Sequence, residues 1–213
     1  KNKKAINYPL FEATPLDNQD VLPKDFIDSL KDLPEDDYKR FVMNSWEGVS
    51  GQIYKEFEKE VHVIRPFDIP EWWERVGGLD TAVGSGTTAA LAMAVDQEGN
   101  LLVTQEHYAK ELLISQHAQG IKAISKGITA WYAGADAFNR TREKQGKLYS
   151  VADEYQDQGI TILKAEQNVH AGINRVSEYL HQTEGNHPYK VDSSKTAKLF
   201  IFENCENLIR ELQ

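Results

Sequence analysis

What most constrains this chain is the order of its strand-like and helix-like segments. Val76–Leu79 is a short apolar run that ends at Asp80. Thr87–Val95 follows as a strand candidate, although its alanine content leaves it ambiguous with helix. Asp96-Gln97-Glu98-Gly99-Asn100 is a turn, and Leu101–Gln105 is the returning strand. The period then changes. Leu112, Leu113, Ala118, Ile121 and Ile124 mark a helix that Gly127 can end. Ile128–Ala135 is a further strand, closing at Asp136. Ser150, with Asp153 three residues on, approximates a capping box at the start of another helix. Ile160–Leu163 is a strand, and Val169, Ile173, Val176 and Leu180 step by 4, 3 and 4 along one helical face. Lys198–Phe202 is the last strand, and Asn204 is a cap for a terminal helix through Cys205, Leu208, Ile209 and Leu212.

Three strands in succession can pair as an antiparallel meander, whereas strands reached through crossover helices must run parallel. The expected architecture is therefore α/β: a mixed sheet, antiparallel in its first three strands and parallel afterwards, flanked by helices. That is the order of a ribonuclease H-like fold. The first 44 residues read differently, as a helical lead-in or linker, with the main domain at 45–213. Phe26, Ile27, Leu30 and Leu33 follow Pro23 at helical spacing, and a second short helix is expected over Pro34–Arg40. Gln52–Tyr54 and Val61–Ile64 are short strand candidates before the main sheet. Composition narrows the function classes. The single cysteine excludes an internal disulfide framework. The longest uncharged stretch, Thr81–Val95, has 15 residues, too few for a membrane span. A net charge of −9 argues against coating nucleic acid with the whole surface, but leaves room for a local basic patch.

Asp80 and Asp136 are the residues most able to carry chemistry. Each closes a strand candidate, where a carboxylate has a rigid base and an exposed head, as a metal ligand requires. The competing reading is a strand-end aspartate that bonds its own turn. If the two strands lie side by side, the carboxylates share one cleft, and a hard divalent cation such as Mg2+ or Mn2+ relieves their repulsion. Two such ions could serve phosphodiester cleavage. The segment Asn139–Lys147 holds Arg140, Arg142, Lys144 and Lys147 against Glu143, a local charge of +3. It is either a solvated loop or a clamp on a phosphate backbone. Other candidates are weaker. Gly84-Ser85-Gly86-Thr87-Thr88 lacks the Lys-Ser/Thr of a Walker A loop, and the six histidines form no metal pattern on one helix face. Glu106, at the end of the third strand, reads as an ordinary strand-end acid or, less favoured, as a group that supports the metal ligands, and Cys205 as a core residue on a helical face.

Taken in order, several segments resemble the nuclease domain of tailed-phage terminase large subunits. They are Asp17-Asn18 with Leu22-Pro23, Phe41–Gly48, Gly51–Tyr54 and His62–Phe67. Gly77-Gly78-Leu79-Asp80 is similar to that family's first metal-binding strand and Ala133-Gly134-Ala135-Asp136 to its second. Gly159-Ile160, Lys164-Ala165 and Ala171–Val176 fit the pattern that follows. The resemblance implies a metal-dependent endonuclease that cuts concatemeric viral double-stranded DNA, with Asp80 and Asp136 as metal ligands. It implies as partners DNA, a packaging ATPase domain, the small terminase subunit and the portal, and as location the cytoplasm of a bacterial host. The chain has no Walker A motif and so resembles the nuclease half. The family also carries a third metal-binding aspartate in a C-terminal segment, and Asp192, Glu203 and Glu206 do not sit in the matching context. A non-cutting docking module of the packaging motor is the alternative.

Overall fold

The computed structural model describes residues 14, 20–31, 42, 53–82, 85–144, 146–166 and 168–213. It divides into two compact units, 1–53 and 54–213. In the first unit, α1 (Lys24–Lys31) begins after Pro23, whose carbonyl accepts from the Phe26 and Ile27 amides. Leu33 and the helix expected over Pro34–Arg40 lie outside the described residues, as do Asp17-Asn18, Phe41, Met43–Gly48 and Gly51-Gln52.

The second unit contains, in order, α2 (Lys59–His62), β1 (Val63–Ile64), β2 (Glu74–Asp80), β3 (Thr87–Val95) and β4 (Leu101–Lys110). Then come α3 (Ile114–Ala123), β5 (Trp131–Ala133), β6 (Arg142–Lys144), β7 (Lys147–Tyr149), α4 (Val151–Asp157) and β8 (Ile162–Lys164). The chain closes with α5 (Val169–Leu180), β9 (Thr183–Glu184), β10 (Lys195–Thr196), β11 (Leu199–Phe202) and α6 (Glu206–Glu211). Seven strands form one mixed sheet in the order β1-β11-β4-β3-β2-β5-β8. β3 is antiparallel to β2 and β4, and every other pairing in this sheet is parallel. The ribonuclease H-like order expected from the sequence is present.

Two cores flank the sheet. Under one face, Leu79, Ala90, Ala92, Trp131, Ala133 and Ile162 pack against Ala118 and Ile121 of α3 and Val151, Ala152 and Tyr155 of α4. The other gathers around β11, buried along its whole length, with Leu102, Leu180 of α5 and Ile209 of α6. The strand pairing also requires a specific glycine. A Cβ on Gly77 would lie 2.4 Å from the indole of Trp131, its neighbour in register on β5.

Several boundaries differ from the sequence reading, each for a local reason. Val61 and His62 close α2, where the imidazole exchanges contacts with the Glu58 backbone, and only Val63–Ile64 is strand. Ile53-Tyr54 is not strand. β4 runs to Lys110, well past Gln105, because β3 offers it partners along its full length. Leu112 and Leu113 are exposed and precede α3, with Leu113 at its N-cap. β5 is only three residues long, since Ala135–Phe138 turn into a 3-10 helix. β8 starts at Ile162 and β11 at Leu199, each slightly later than the strand expected over Ile160–Leu163 and Lys198–Phe202. Cys205, not Asn204, is the N-cap of α6. The capping box at Ser150 and Asp153 is formed, with both reciprocal bonds.

Candidate metal centre

β2 ends at Asp80, and its parallel neighbour β5 ends at Ala133, paired with Leu79. The strand directions therefore deliver the chain after Ala133 to the same sheet edge as Asp80. Gly134-Ala135-Asp136 follows at once, with Asp136 in the first turn of the 3-10 helix and Ala137 anchoring that turn in the core. This edge, at the carboxyl ends of parallel strands, is where open α/β sheets place their ligands.

The two carboxylates meet electrostatically as well as topologically. Partial burial raises the Asp80 carboxyl above the usual carboxylate range, and the negative charge of Asp136 raises it further. Both side chains are nevertheless exposed at the rim. Among the described residues no cation pairs with either one. Gly134 has a distinct job in this turn. A Cβ there would stand 2.6 Å from Oδ1 of Asp136, so the missing side chain lets that carboxylate fold back over its own strand end. An exposed pair of acids whose charges oppose one another fits a hard divalent cation, and Mg2+ takes one or two carboxylates alongside water and phosphate oxygens. Among the described residues no group of three or more His, Cys, Asp or Glu side chains is arranged to hold a metal.

The other acids raised by the sequence lie elsewhere. Asp192 and Glu203 line a groove beside β1, four strands along the sheet from β2, roughly 19 Å away at ordinary strand spacing. Glu206 opens α6, which packs beside β4. Glu106 is not a strand-end acid, since it stands within β4. Its carboxylate accepts from the Asn207 amide at 2.8 Å, the Leu208 amide at 2.9 Å and the Asn207 side chain at 2.8 Å. It thus supplies the capping oxygen that Cys205 cannot. Cys205 is buried, and its thiol is pushed up to about 12 by burial and by the charge of Glu106, which leaves it inert.

The basic segment after Asp136 is a hairpin rather than a loop. β6 and β7 pair antiparallel with Arg142 opposite Tyr149 and Lys144 opposite Lys147. Gly146 takes the positive φ of 75° that its tight turn needs. Arg140 precedes the hairpin, 3.5 Å from Asp153 and largely exposed. Gly84 lies outside the described residues, while the rest of that segment leads into β3. The histidines hold one arrangement that sequence spacing did not reveal. His107 of β4 and His117 of α3 share a ring-to-ring hydrogen bond of 3.0 Å, over Gly120, whose bare Cα makes room for the His107 ring. A strand residue and a helix residue ten positions apart offer no periodic signal.

No family model matches the sequence, and no curated protein matches it significantly. Similarity is found among solved structures. The large terminase nuclease domain of phage P22 superposes with a TM-score of 0.56 at 16% identity, covering 76% of this chain and 78% of that one. The large terminase of a thermophilic bacteriophage, in complex with ATP-γ-S, gives a TM-score of 0.53 at 16% identity. That match covers 93% of this chain and 46% of the thermophilic phage protein, so the chain spans less than half of that terminase's length. The ADP complex of the same terminase aligns equally well, with a TM-score of 0.53. No helix of the described residues is long and apolar enough to cross a membrane. The seven-stranded mixed sheet, with its antiparallel meander and parallel flanks, thus has the fold of a phage terminase large-subunit nuclease domain.

Proposed function

We propose that this chain is a divalent-metal-dependent endonuclease domain acting on double-stranded DNA, with residues 45–213 as the nuclease and 1–44 as a lead-in. The observation that carries the reading is the pair Asp80 and Asp136 at the carboxyl edge of adjacent parallel strands, with no cationic partner for either among the described residues and the charge of Asp136 pushing up the Asp80 carboxyl. The terminase-like fold supports the same assignment. Asp80 and Asp136 would hold Mg2+ or Mn2+, which, when bound, supplies charge neutralisation and activation of water for attack on a phosphodiester. Two ions are expected in the working site. Arg140, with Arg142, Lys144 and Lys147 of the adjacent hairpin, positions the sugar–phosphate backbone. With a net charge of −9, the domain relies on that hairpin and on its partners to stay on DNA. Those partners are the packaging ATPase domain, the small terminase subunit and the portal, acting on concatemeric viral DNA in the host cytoplasm.

Plasmid cleavage with Mn2+ tests this. The native chain is expected to nick or linearise plasmid only with metal, and Asp80→Ala and Asp136→Ala are expected to abolish the activity. Equal residual cleavage in native chain and variants removes both acids from the mechanism. One observation favours a second reading, a docking module of the motor that binds DNA or portal without cutting. No third acidic ligand joins the pair among the described residues. Portal or DNA binding without metal-dependent cleavage would support it.

A further inference from the structure

Beside Asp80 one face of the sheet carries an aromatic patch that the fold leaves exposed. Side chains alternate from face to face along a strand. Leu79 of β2, Trp131 and Ala133 of β5 and Ile162 of β8 belong to the core beneath α3 and α4. The residues between them take the opposite face: Gly78 and Asp80 on β2, Tyr132 on β5 and Leu163 on β8. Gly78, Tyr132 and Leu163 stand in register across the three strands. Trp131 and Ala133 are each 2% exposed, whereas Tyr132 is 44% and Leu163 43% exposed. The second core, around β11, includes neither of them.

Packing does not account for this patch. Gly77 is required by the Trp131 indole, but a Cβ on Gly78 would meet only the terminal methyl of Met93, at 3.4 Å. Gly78 nevertheless leaves bare backbone beside Tyr132, on the strand that ends at Asp80. Among the described residues Tyr132 has no hydrogen-bond, cationic or aromatic partner. Two residues along β2 and one strand across separate the Cα atoms of Asp80 and Tyr132, roughly 8 Å at ordinary strand geometry. An open ring thus stands next to the candidate metal ligand, across a glycine floor.

Whatever rests on that ring also reaches the two acids. A protein seated there would shut Asp80 away from a phosphodiester, so the occupant that fits is the substrate itself. Bases in an intact duplex stack on one another and show a flat surface only their edges, sugars and phosphates. An unpaired base offers its π-face, and an aromatic side chain stacks on any base with little regard for sequence. We propose that Tyr132, flanked by Leu163, stacks on an unpaired base beside the scissile phosphate, so that the site takes locally unpaired DNA. This rests on the reading of Asp80 and Asp136 as the cutting site. It deepens that reading by naming the form of DNA the site accepts.

The test uses the full chain without divalent metal, so that binding is read apart from cleavage. Anisotropy compares a fully paired duplex with the same duplex carrying a short unpaired stretch on one strand. Tyr132→Leu is expected to weaken binding of the unpaired probe by about tenfold, the scale of one lost base–aromatic stack, and to leave the paired probe unchanged. Tyr132→Phe, which keeps the ring, is expected to bind as the native chain does. A 5-iododeoxyuridine in the unpaired stretch is expected to crosslink to Tyr132 on irradiation. Native affinity of Tyr132→Leu for the unpaired probe, an equal loss on both probes, or no binding of either probe by the native chain overturns the proposal. Mn2+-dependent cleavage of the two probes is assayed separately. Selective binding through Tyr132 without cleavage sinks the metal-site reading and leaves the stacking contact standing. Cleavage of both probes that is indifferent to Tyr132→Leu does the reverse.

Discussion

The two ends of the β2–β3–β4 meander each carry an aspartate, and the two are built in opposite ways. Asp96 sits in the turn between β3 and β4 and is saturated with donors. Its Oδ1 accepts from the Glu98 and Asn100 amides at 2.8 Å each, and its Oδ2 accepts from the Asn100 side chain at 2.7 Å and from the Tyr189 hydroxyl. Burial alone would raise its carboxyl, yet the bonds from Tyr189, Asn100 and Glu98 outweigh that and hold it below the usual range. At the far end, Asp80 faces another acid and is pushed up by burial and by Asp136. One carboxylate ties a turn to the 185–195 region. The other is held beside a like charge at a cost to the fold, the arrangement that the proposed metal site would relieve.

The largest expected contrast between the ends is in activity. Asp80→Asn and Asp136→Asn are each expected to cut Mn2+-dependent cleavage on the order of a hundredfold or more, the scale of losing one transition-state electrostatic contact. Asp96→Asn, assayed per folded molecule, is expected to leave cleavage unchanged. Stability should reverse the order. Asp96→Ala strands the donors it satisfied and is expected to cost about 1–3 kcal/mol in urea unfolding. Asp80→Asn removes a repulsion and should leave the midpoint unchanged or raise it. A loss at Asp80 equal to that at Asp96 would erase the distinction.

Glu106 offers a check from a third carboxylate. Glu106→Ala leaves the α6 amides of Asn207 and Leu208 without their acceptor and is expected to cost about 1–2 kcal/mol, with metal affinity untouched.

The pH profile sharpens the comparison further. The Asp80 carboxyl ionises at higher pH in the fold than in the unfolded chain, so its contribution to stability falls as pH rises through its raised value. Asp96 ionises at lower pH in the fold, so its contribution is full above the ordinary carboxylate range and is lost as pH falls below it. His107 and His117 add a step nearer neutrality. Burial lowers both, the charge of His117 lowers His107 further, and their contribution is lost as pH drops through the ordinary histidine range. Thermal melts from about pH 2 to about pH 8 on Asp80→Asn, Asp96→Asn and His107→Gln should each flatten a different part of the curve.

The smallest effect is expected at Arg140. Its ion pair with Asp153 is solvent-exposed, so Arg140→Ala should change stability by less than about 1 kcal/mol. Salt-dependent DNA binding is the sensitive readout there, with the slope falling by about one.

Much of this architecture was legible in the chain because strand order and helical spacing are local signals that topology rules convert into a sheet. The meander followed from three strand runs in succession, and the parallel flanks from the helices between later runs. That was enough to place Asp80 and Asp136 at one edge. What escaped depends on partners distant in sequence. Glu106 became a helix cap only because α6, a hundred residues on, arrives with its amides toward it. The shortness of β5 follows from Gly134 and the core anchor at Ala137, neither of which changes the apolar run. The β6–β7 hairpin has almost no apolar alternation, so its charge was readable and its shape was not.

The most direct test of the central claim is anomalous diffraction from a crystal soaked in millimolar Mn2+. The account predicts a peak within coordination distance of both Asp80 and Asp136, absent from Asp80→Asn. No peak there, or a peak only in the groove of Asp192 and Glu203, would contradict it.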